Sequence, residues 1–290
     1  MVVERKAYAK INIGLDITGK KENGYHLIKT IMQQVDLYDV ITLEKIESGI
    51  EIGTNSKDVP TDDSNLAVKA AKILIDKFNI CSGIKIFIDK RIPVAAGMAG
   101  GSTDGAAVLL GMNDLFELGL SEEELCEIGV TLGADIPFCI KGGCALCEGI
   151  GEEMTTLENK TEMYALITKP NLNVSTKHVY QSLGLSVGPA VGPEHPDVDK
   201  VIDAFAAGDT KKVAATMGNY LEKVTASEYD IIEELKHDIL MAGALGSNMS
   251  GSGPTVFGLF DSMEAALVAE AELKDKYPDI FVKATGVING

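Results

Sequence analysis

Apolar and polar positions alternate from Ala7 to Ile17, the period of a half-buried strand, and the run ends at a turn, Gly19-Lys-Lys-Glu-Asn-Gly24. A second β-type stretch covers roughly Ile28 to Leu43, and Ile50 to Gly53 reads as a third. Asp63-Ser64 then offers an N-cap to a helix with Leu66, Ala70, Ile73 and Leu74 on one face. Ile84, Ile86 and Ile88 alternate with Lys85, Phe87 and Asp89, which predicts a strand with one buried face. A glycine-rich loop follows, and then a helix from about Ser102 to Leu118. Ser121 with Glu124 forms a capping box ahead of Leu125, Ile128 and Leu132.

The second part is less regular. A polar stretch from Gly149 to Lys160 precedes an apolar strand, Met163 to Thr168, and places a boundary between residues 1–155 and 156–290. Gly184 to Pro196 reads as a long exposed loop, and three helical patterns lie between Val198 and Met241. Another glycine-rich loop, a strand (Thr255 to Phe260), a helix (Ser262 to Lys276) and a last strand (Ile280 to Ala284) end the pattern. Strands and helices cluster without regular β-α-β spacing, so the fold class is α+β, in two halves.

Composition narrows the function. With 290 residues, 46% hydrophobic and 24% charged, the chain can build a real core, which excludes disorder. No stretch approaches the length of a membrane-spanning helix. The charges of the first ten residues are followed by no apolar run, so we expect no signal peptide and a cytoplasmic protein. A net charge of −17 argues against nucleic-acid binding. It leaves room for small anions held by local cations and backbone N–H groups.

Several short patterns fail on inspection. Gly14 to Lys21 nearly spells a P-loop, but Lys21 stands where that motif needs Ser or Thr, and Asn23-Gly24 turns the chain where a helix must begin. Gly184-Leu-Ser-Val-Gly188 matches a hydrolase nucleophile pattern but runs into Pro189 within a loop. Cys81, Cys126, Cys139, Cys144 and Cys147 are odd in number, which argues for reduced thiols. Cys144 and Cys147, with Cys139 nearby, lie in an apolar, extended run that suits buried structural thiols better than a zinc site. The histidines His26, His178, His195 and His237 show no metal-ligand spacing.

The strongest segment is Lys90-Arg-Ile-Pro93-Val94-Ala95-Ala96-Gly97-Met98-Ala99-Gly100-Gly101-Ser102-Thr103-Asp104, running from a strand into a helix. Its glycines let backbone approach a ligand, and the first free N–H groups of the helix favour a phosphate chain. Ser102 and Thr103 can cap the helix or turn a hydroxyl toward phosphate or Mg²⁺. A tight turn before a capped helix explains the segment equally well. Asn248-Met-Ser-Gly-Ser-Gly-Pro254 is a second small-residue loop before a strand, and Ala7-Tyr-Ala-Lys10-Ile-Asn12-Ile-Gly14 opens the chain.

Together and in this order, the three segments resemble the signatures of the GHMP kinase superfamily, which includes galactokinase and the homoserine, mevalonate and phosphomevalonate kinases. The likeness spans nearly the whole chain. Gly24-Tyr25-His26 and Gly133-Ala-Asp135-Ile-Pro137 resemble one branch, whose members phosphorylate the 2-hydroxyl of a cytidine diphosphate-linked methylerythritol in the non-mevalonate isoprenoid pathway. The resemblance implies a ribosomal protein S5 domain 2-like N-terminal domain that binds ATP, residues 1–155, and a ferredoxin-like substrate domain, residues 156–290. It also implies Mg·ATP as phosphoryl donor, in a monomer or homodimer.

By the same resemblance, Asp135 is the general base and Lys10 its partner; read without it, the two would make an ordinary ion pair. Tyr25 and His26 would recognise cytosine, Tyr180 would close the other side of the ring, and Asn12 would contact substrate polar groups. Tyr180 reads equally as a half-buried helical tyrosine. Asn65, Leu66 and Lys90 would hold adenosine, although Leu66 also suits a core. Alanine at 95, 96 and 99 departs from the glycine-richer loops of relatives. Since alanine disfavours positive φ, we expect the special backbone conformations at Gly97, Gly100 and Gly101. Alternatives are another GHMP kinase, such as a homoserine kinase, or a non-catalytic ligand sensor on the same fold.

Overall fold

A computed structural model of the chain describes residues 2–289. Its elements run β1 (Val2–Lys20), β2 (His26–Ile46), β3 (Ile50–Thr54), α1 (Leu66–Phe78), β4 (Gly83–Asp89), α2 (Gly100–Leu115), α3 (Glu122–Val130) and α4 (Ile136–Lys141). They continue β5 (Cys144–Glu148), β6 (Glu153–Thr156), β7 (Tyr164–Lys169), α5 (Thr176–Ser182), β8 (Gly188–Pro189), α6 (Val198–Ala207), α7 (Thr210–Thr216) and β9 (Gly218–Asn219). The last are α8 (Glu222–Glu228), α9 (Ile231–Met241), β10 (Gly246–Met249), β11 (Val256–Phe260), α10 (Met263–Lys276) and β12 (Phe281–Gly286).

Two compact units emerge, and neither is a single stretch of chain. One contains the chain up to Ala9, Leu37–Val94 and Ala99–Gly142; the other contains Lys10–Asp36, Ala95–Met98 and the chain from Gly143 onward. The long strands β1 and β2 serve both.

In the first unit β3 runs parallel to β4, and β4 antiparallel to the second half of β2. The isoleucine alternation in β4 holds: Ile84, Ile86 and Ile88 are fully buried, while Lys85 and Phe87 face outward. These isoleucines pack with Leu43, Leu74, Val108 and Leu109 beneath α1 and α2. The two helices approach closely at Gly105, where a Cβ would lie in van der Waals contact with the Leu66 Cβ at 3.4 Å. The capping box of α3 forms as expected, with Glu124 N–H donating to Ser121 Oγ (3.2 Å) and Ser121 N–H to Glu124 Oε2 (2.8 Å). The N-cap of α1 is Asn65 rather than Asp63 or Ser64; its side chain accepts from Ala67 N–H.

In the second unit the first half of β2 pairs with β5, β5 with β6, and β1 with β8 and β9. The other sheet is wholly antiparallel, in the order β10-β11-β7-β12. With α9 and α10 packed on it, the chain follows the β-α-β-β-α-β path of a ferredoxin-like domain. Leu166, Ile232, Leu235, Ile239 and Phe260 fill the space between helices and sheet.

Further expectations need correction. Four helices, not three, lie between Val198 and Met241, because Gly208 ends α6 in the left-handed region (φ 69°) and Asp209 caps α7. Residues 246–249 form β10 rather than loop: pairing with β11 overrides their low intrinsic β-propensity. Gly14 to Lys20 lie inside β1, which leaves no helix for a P-loop to enter. No helix of the described residues is long and apolar enough to cross a membrane.

Candidate active site

Three sets of expected residues assemble, each within one unit. The first surrounds Lys10. Buried in the middle of β1, its ammonium donates to Asn12 Oδ1 (2.6 Å) and to the Gly97 carbonyl (3.3 Å). Asn12 Nδ2 donates in turn to Thr30 Oγ1, and Thr30 to the Gly14 carbonyl. Lys10 N–H donates to the Met98 carbonyl, and Ser250 Oγ to the Gly97 carbonyl (3.0 Å). A buried ammonium costs free energy unless it is hydrogen-bonded, so the Asn12 and Gly97 oxygens fix its position.

Gly97 lies where two loops meet. Its φ is 71°, and a Cβ there would fall 2.4 Å from the Ser250 carbonyl oxygen. Both neighbouring left-handed positions are alanines, with Ala95 at φ 52° and Ala99 at φ 58°. This corrects the expectation that Gly97, Gly100 and Gly101 carry the special conformations: only Gly97 does, while Gly100 and Gly101 are the first residues of α2. Left-handed alanine costs about 1–2 kcal/mol, so the loop holds strain of the kind that surrounding structure must enforce.

The second set lies at the start of α2. The N-cap residue is Ala99, and no side chain caps the helix, so of the two roles open to Ser102 and Thr103 capping is not taken. Thr103 is buried and its hydroxyl donates to the Tyr8 carbonyl (2.8 Å). The opening N–H groups of a 16-residue helix therefore lack a side-chain partner. Leu66 lies against this turn, its Cδ1 3.8 Å from where a Gly101 Cβ would sit. Asn65 Nδ2 donates to the Pro60 carbonyl, so both ends of its amide serve the local fold.

Lys90 points inward. Its Nζ contacts Asp39 Oδ2 (2.6 Å), Asp104 Oδ2 (2.7 Å) and the Gly100 carbonyl (3.1 Å). The sequence reading missed both carboxylates. Asp104 follows Ser102-Thr103 in a segment already singled out, whereas nothing local marks Asp39 within β2. Burial pushes the Asp104 carboxyl up to about 7, against the pull of Lys90, with Asp39 adding to the rise.

Asp135 occupies the N-cap position of α4, in the turn formed when Ile136 N–H donates to the Gly133 carbonyl, and its side chain does not cap the helix. Gly129 makes the turn possible, since a Cβ there would fall 2.6 Å from Ile136 Cγ2. A Gly133 Cβ would reach to 4.0 Å from Ser102 Oγ, which brings this turn to the start of α2.

The third set lines a cavity of about 560 Å³, where Tyr25, His26, Thr176, Lys177 and Tyr180 meet over Ile28. The His26 and Tyr180 rings lie 5.2 Å apart at 45°. Tyr25 is 59% exposed, an aromatic face with little packed on it. His26 Nε2 is buried without a hydrogen-bond partner. Burial, and secondarily the charge of Lys20, lowers the His26 pKa, so the ring is neutral near pH 7 and keeps one donor and one acceptor.

Cys144 and Cys147 are buried in β5, and burial pushes the Cys144 thiol up to about 12, which makes it inert. Cys139 lies instead on α4, outside the extended run expected of it. Among the described residues no three His, Cys, Asp or Glu side chains group to hold a metal ion.

Residues 65–143 match the family described as GHMP kinases N terminal domain, and residues 185–279 the family described as GHMP kinases C terminal. The chain belongs to the GHMP kinases and has their fold, a mixed α/β arrangement with two sheets. It is 49% identical over 280 residues to 4-diphosphocytidyl-2-C-methyl-D-erythritol kinase of Clostridium botulinum (strain Alaska E43 / Type E3), covering 97% of this chain and 99% of that one. The kinase of the same name from Clostridium beijerinckii is 50% identical, with the same coverage. A crystal structure of 4-(cytidine 5'-diphospho)-2C-methyl-D-erythritol kinase superposes with a TM-score of 0.82 at 30% identity, covering 99% of this chain and 100% of that one. A homoserine kinase from Cytophaga hutchinsonii shares the fold, with a TM-score of 0.73 at 20% identity over 97% of this chain and 95% of that one.

Proposed function

We propose that this chain is a cytoplasmic kinase that transfers the γ-phosphoryl group of ATP to the 2-hydroxyl of 4-diphosphocytidyl-2-C-methyl-D-erythritol, in the non-mevalonate route to isoprenoid precursors. One observation carries the choice of substrate: the adjacent Tyr25 and His26, and Tyr180 from far along the chain, line a single cavity that holds a buried, unpartnered ring nitrogen. A pyrimidine supplies what that cavity lacks, a flat face for aromatic stacking and an edge for the His26 nitrogen. A sibling kinase for a small amino acid or hydroxy acid has no use for it.

In this reading Asp135 takes the proton of the attacking hydroxyl as the new oxygen–phosphorus bond forms and the bond to ADP breaks. A carboxylate is a weak base toward an alcohol, so proton and phosphoryl transfer go together. Lys10 offsets negative charge at the reacting oxygens, and Asn12 contacts substrate polar groups. The two oxygens that hold the Lys10 ammonium support that role, because a preorganised cation does not have to reorient during the reaction.

For ATP, the residues present fit a phosphate chain. The uncapped start of α2 directs N–H donors and the positive helix end outward, as anion binding requires. Pro93, Val94, Ala95, Ala96, Gly97, Met98, Ala99, Gly100, Gly101, Ser102 and Thr103 form the proposed phosphate segment, in which Thr103 contributes backbone alone. Asn65, Leu66 and Lys90 border the adenosine end. Mg²⁺ suits a site of this kind, since it takes phosphate oxygens and water with few protein ligands; Ser102 would offer it a side-chain oxygen, and the ion would neutralise phosphate charge.

A coupled assay of ADP release across candidate alcohols tests the proposal. Turnover requires the cytidylated substrate. Equal turnover of 2-C-methyl-D-erythritol 4-phosphate, or of homoserine, would overturn it.

A further inference from the structure

The Asp39–Lys90–Asp104 cluster is costly to bury and has no part in the proton transfer proposed above. Two carboxylates and one ammonium lie almost wholly out of solvent, and one oxygen, Asp104 Oδ1, has no hydrogen-bond partner. Buried ion pairs of this kind seldom add net stability relative to apolar packing, so their value lies in fixing geometry. Here the geometry is specific. Asp39 Oδ1 accepts from the backbone N–H groups of both Arg91 (2.5 Å) and Ile92 (2.8 Å), which pins the chain as it leaves β4. Its other oxygen holds Lys90 Nζ, and Lys90 in turn holds the carbonyl of Gly100, the first residue of α2. Gly100 allows this approach, since a Cβ there would fall 3.1 Å from Lys90 Nζ and 3.3 Å from Ile92 Cγ2.

We infer that Asp39 is a positioning residue for nucleotide binding, which acts through Lys90 to set the direction of the uncapped first turn of α2. The inference rests on the ATP reading given above. Phosphate affinity at a helix start depends on where the N–H groups point, so a small rotation of the Gly100 peptide weakens several donors together. Neither Asp39 nor the Lys90 ammonium touches the nucleotide in this account.

Asp39→Asn separates the parts of the clamp. An amide oxygen still accepts from Arg91 and Ile92, while the amide N–H₂ faces the ammonium and breaks the link to Lys90. Binding of the non-hydrolysable analogue AMP-PNP and of CDP is measured calorimetrically for the wild type, Asp39→Asn and Asp39→Ala, with thermal melting of each. The expected result for Asp39→Asn is a rise in the AMP-PNP Kd of about three- to tenfold, with CDP affinity unchanged. Asp39→Ala, if folded, shows a larger rise; if it does not fold, Asp39→Asn alone decides. A folded Asp39→Asn with wild-type AMP-PNP affinity overturns the inference. So does parallel weakening of both ligands, the mark of a general structural role. Failure of the wild type to bind AMP-PNP removes the ATP reading and the inference with it.

Discussion

In the proposed mechanism Asp135 serves the reaction and Tyr25 serves recognition. Asp135→Asn removes a proton acceptor at nearly constant shape, so kcat should fall by about 10²-fold or more while nucleotide affinity holds. Rapid-quench measurement of the phosphoryl-transfer step checks this, and near-normal turnover would mean that no base is needed at that position. Tyr25→Ala removes an exposed aromatic face and should act on substrate binding, costing about 1–3 kcal/mol in KM with kcat little changed. An unchanged KM would return Tyr25 to the surface. Both are singled out in the sequence by short strings that resemble the kinase branch, Gly133-Ala-Asp-Ile-Pro and Gly24-Tyr-His. Tyr180 was not separable from a half-buried helical tyrosine, since only its distance to His26 reveals what it lines.

Among the elements, the loop that leads into α2 carries the strain. Three left-handed residues lie within five positions, and two of them are alanines. Gly97→Ala would add a Cβ 2.4 Å from the Ser250 carbonyl, a backbone atom that cannot rotate away, in addition to the cost of positive φ. We expect a loss of about 1–3 kcal/mol in stability, read as a lowered midpoint in urea, together with weakened nucleotide binding. Ala95→Gly and Ala99→Gly should be tolerated, since each relieves an unfavourable φ. Most elements were legible because their signals are local: the isoleucine alternation of β4 and the capping box of α3 are set by nearest neighbours. The strand β10 and the α6–α7 break were missed. The first depends on a partner strand, and the second on a single glycine conformation.

For the molecule as a whole, the buried triad couples stability to pH. An unfolded aspartic carboxyl titrates near its ordinary 3.8, whereas burial holds Asp104 up to about 7 in the folded chain. The folded state therefore binds a proton that the unfolded state has released across that interval. Its contribution to stability is complete below the unfolded value and is lost as pH rises through the folded one. Melting temperatures followed between about pH 4 and 8 should include a falling component that Asp104→Asn, uncharged at every pH, removes. Identical pH profiles for the two proteins would contradict a raised Asp104 carboxyl.

The two compact units likewise belong to this largest scale. A boundary drawn near residue 155 assumes consecutive halves, but β1 and β2 pass through both units, and compactness assigns Lys10–Asp36 and Ala95–Met98 to the unit that begins again at Gly143. Local composition carries no trace of that division. A strand shared between two units looks like any other strand.

Sequence alone determined the α+β class and most helices and strands, because capping, alternation and glycine turns act over a few residues and leave their mark in order along the chain; the chemistry proposed at Lys10, Asp135, Tyr25 and His26 came from the resemblance of short segments to the GHMP kinases. Tertiary structure decided the rest: which alanines are forced into left-handed φ, that Lys90 turns inward to Asp39 and Asp104, and that Tyr180 joins His26 around one cavity. Those outcomes depend on burial and on partners 14 to 154 residues away, distances over which the pattern of a single chain holds no record of which side chains will meet.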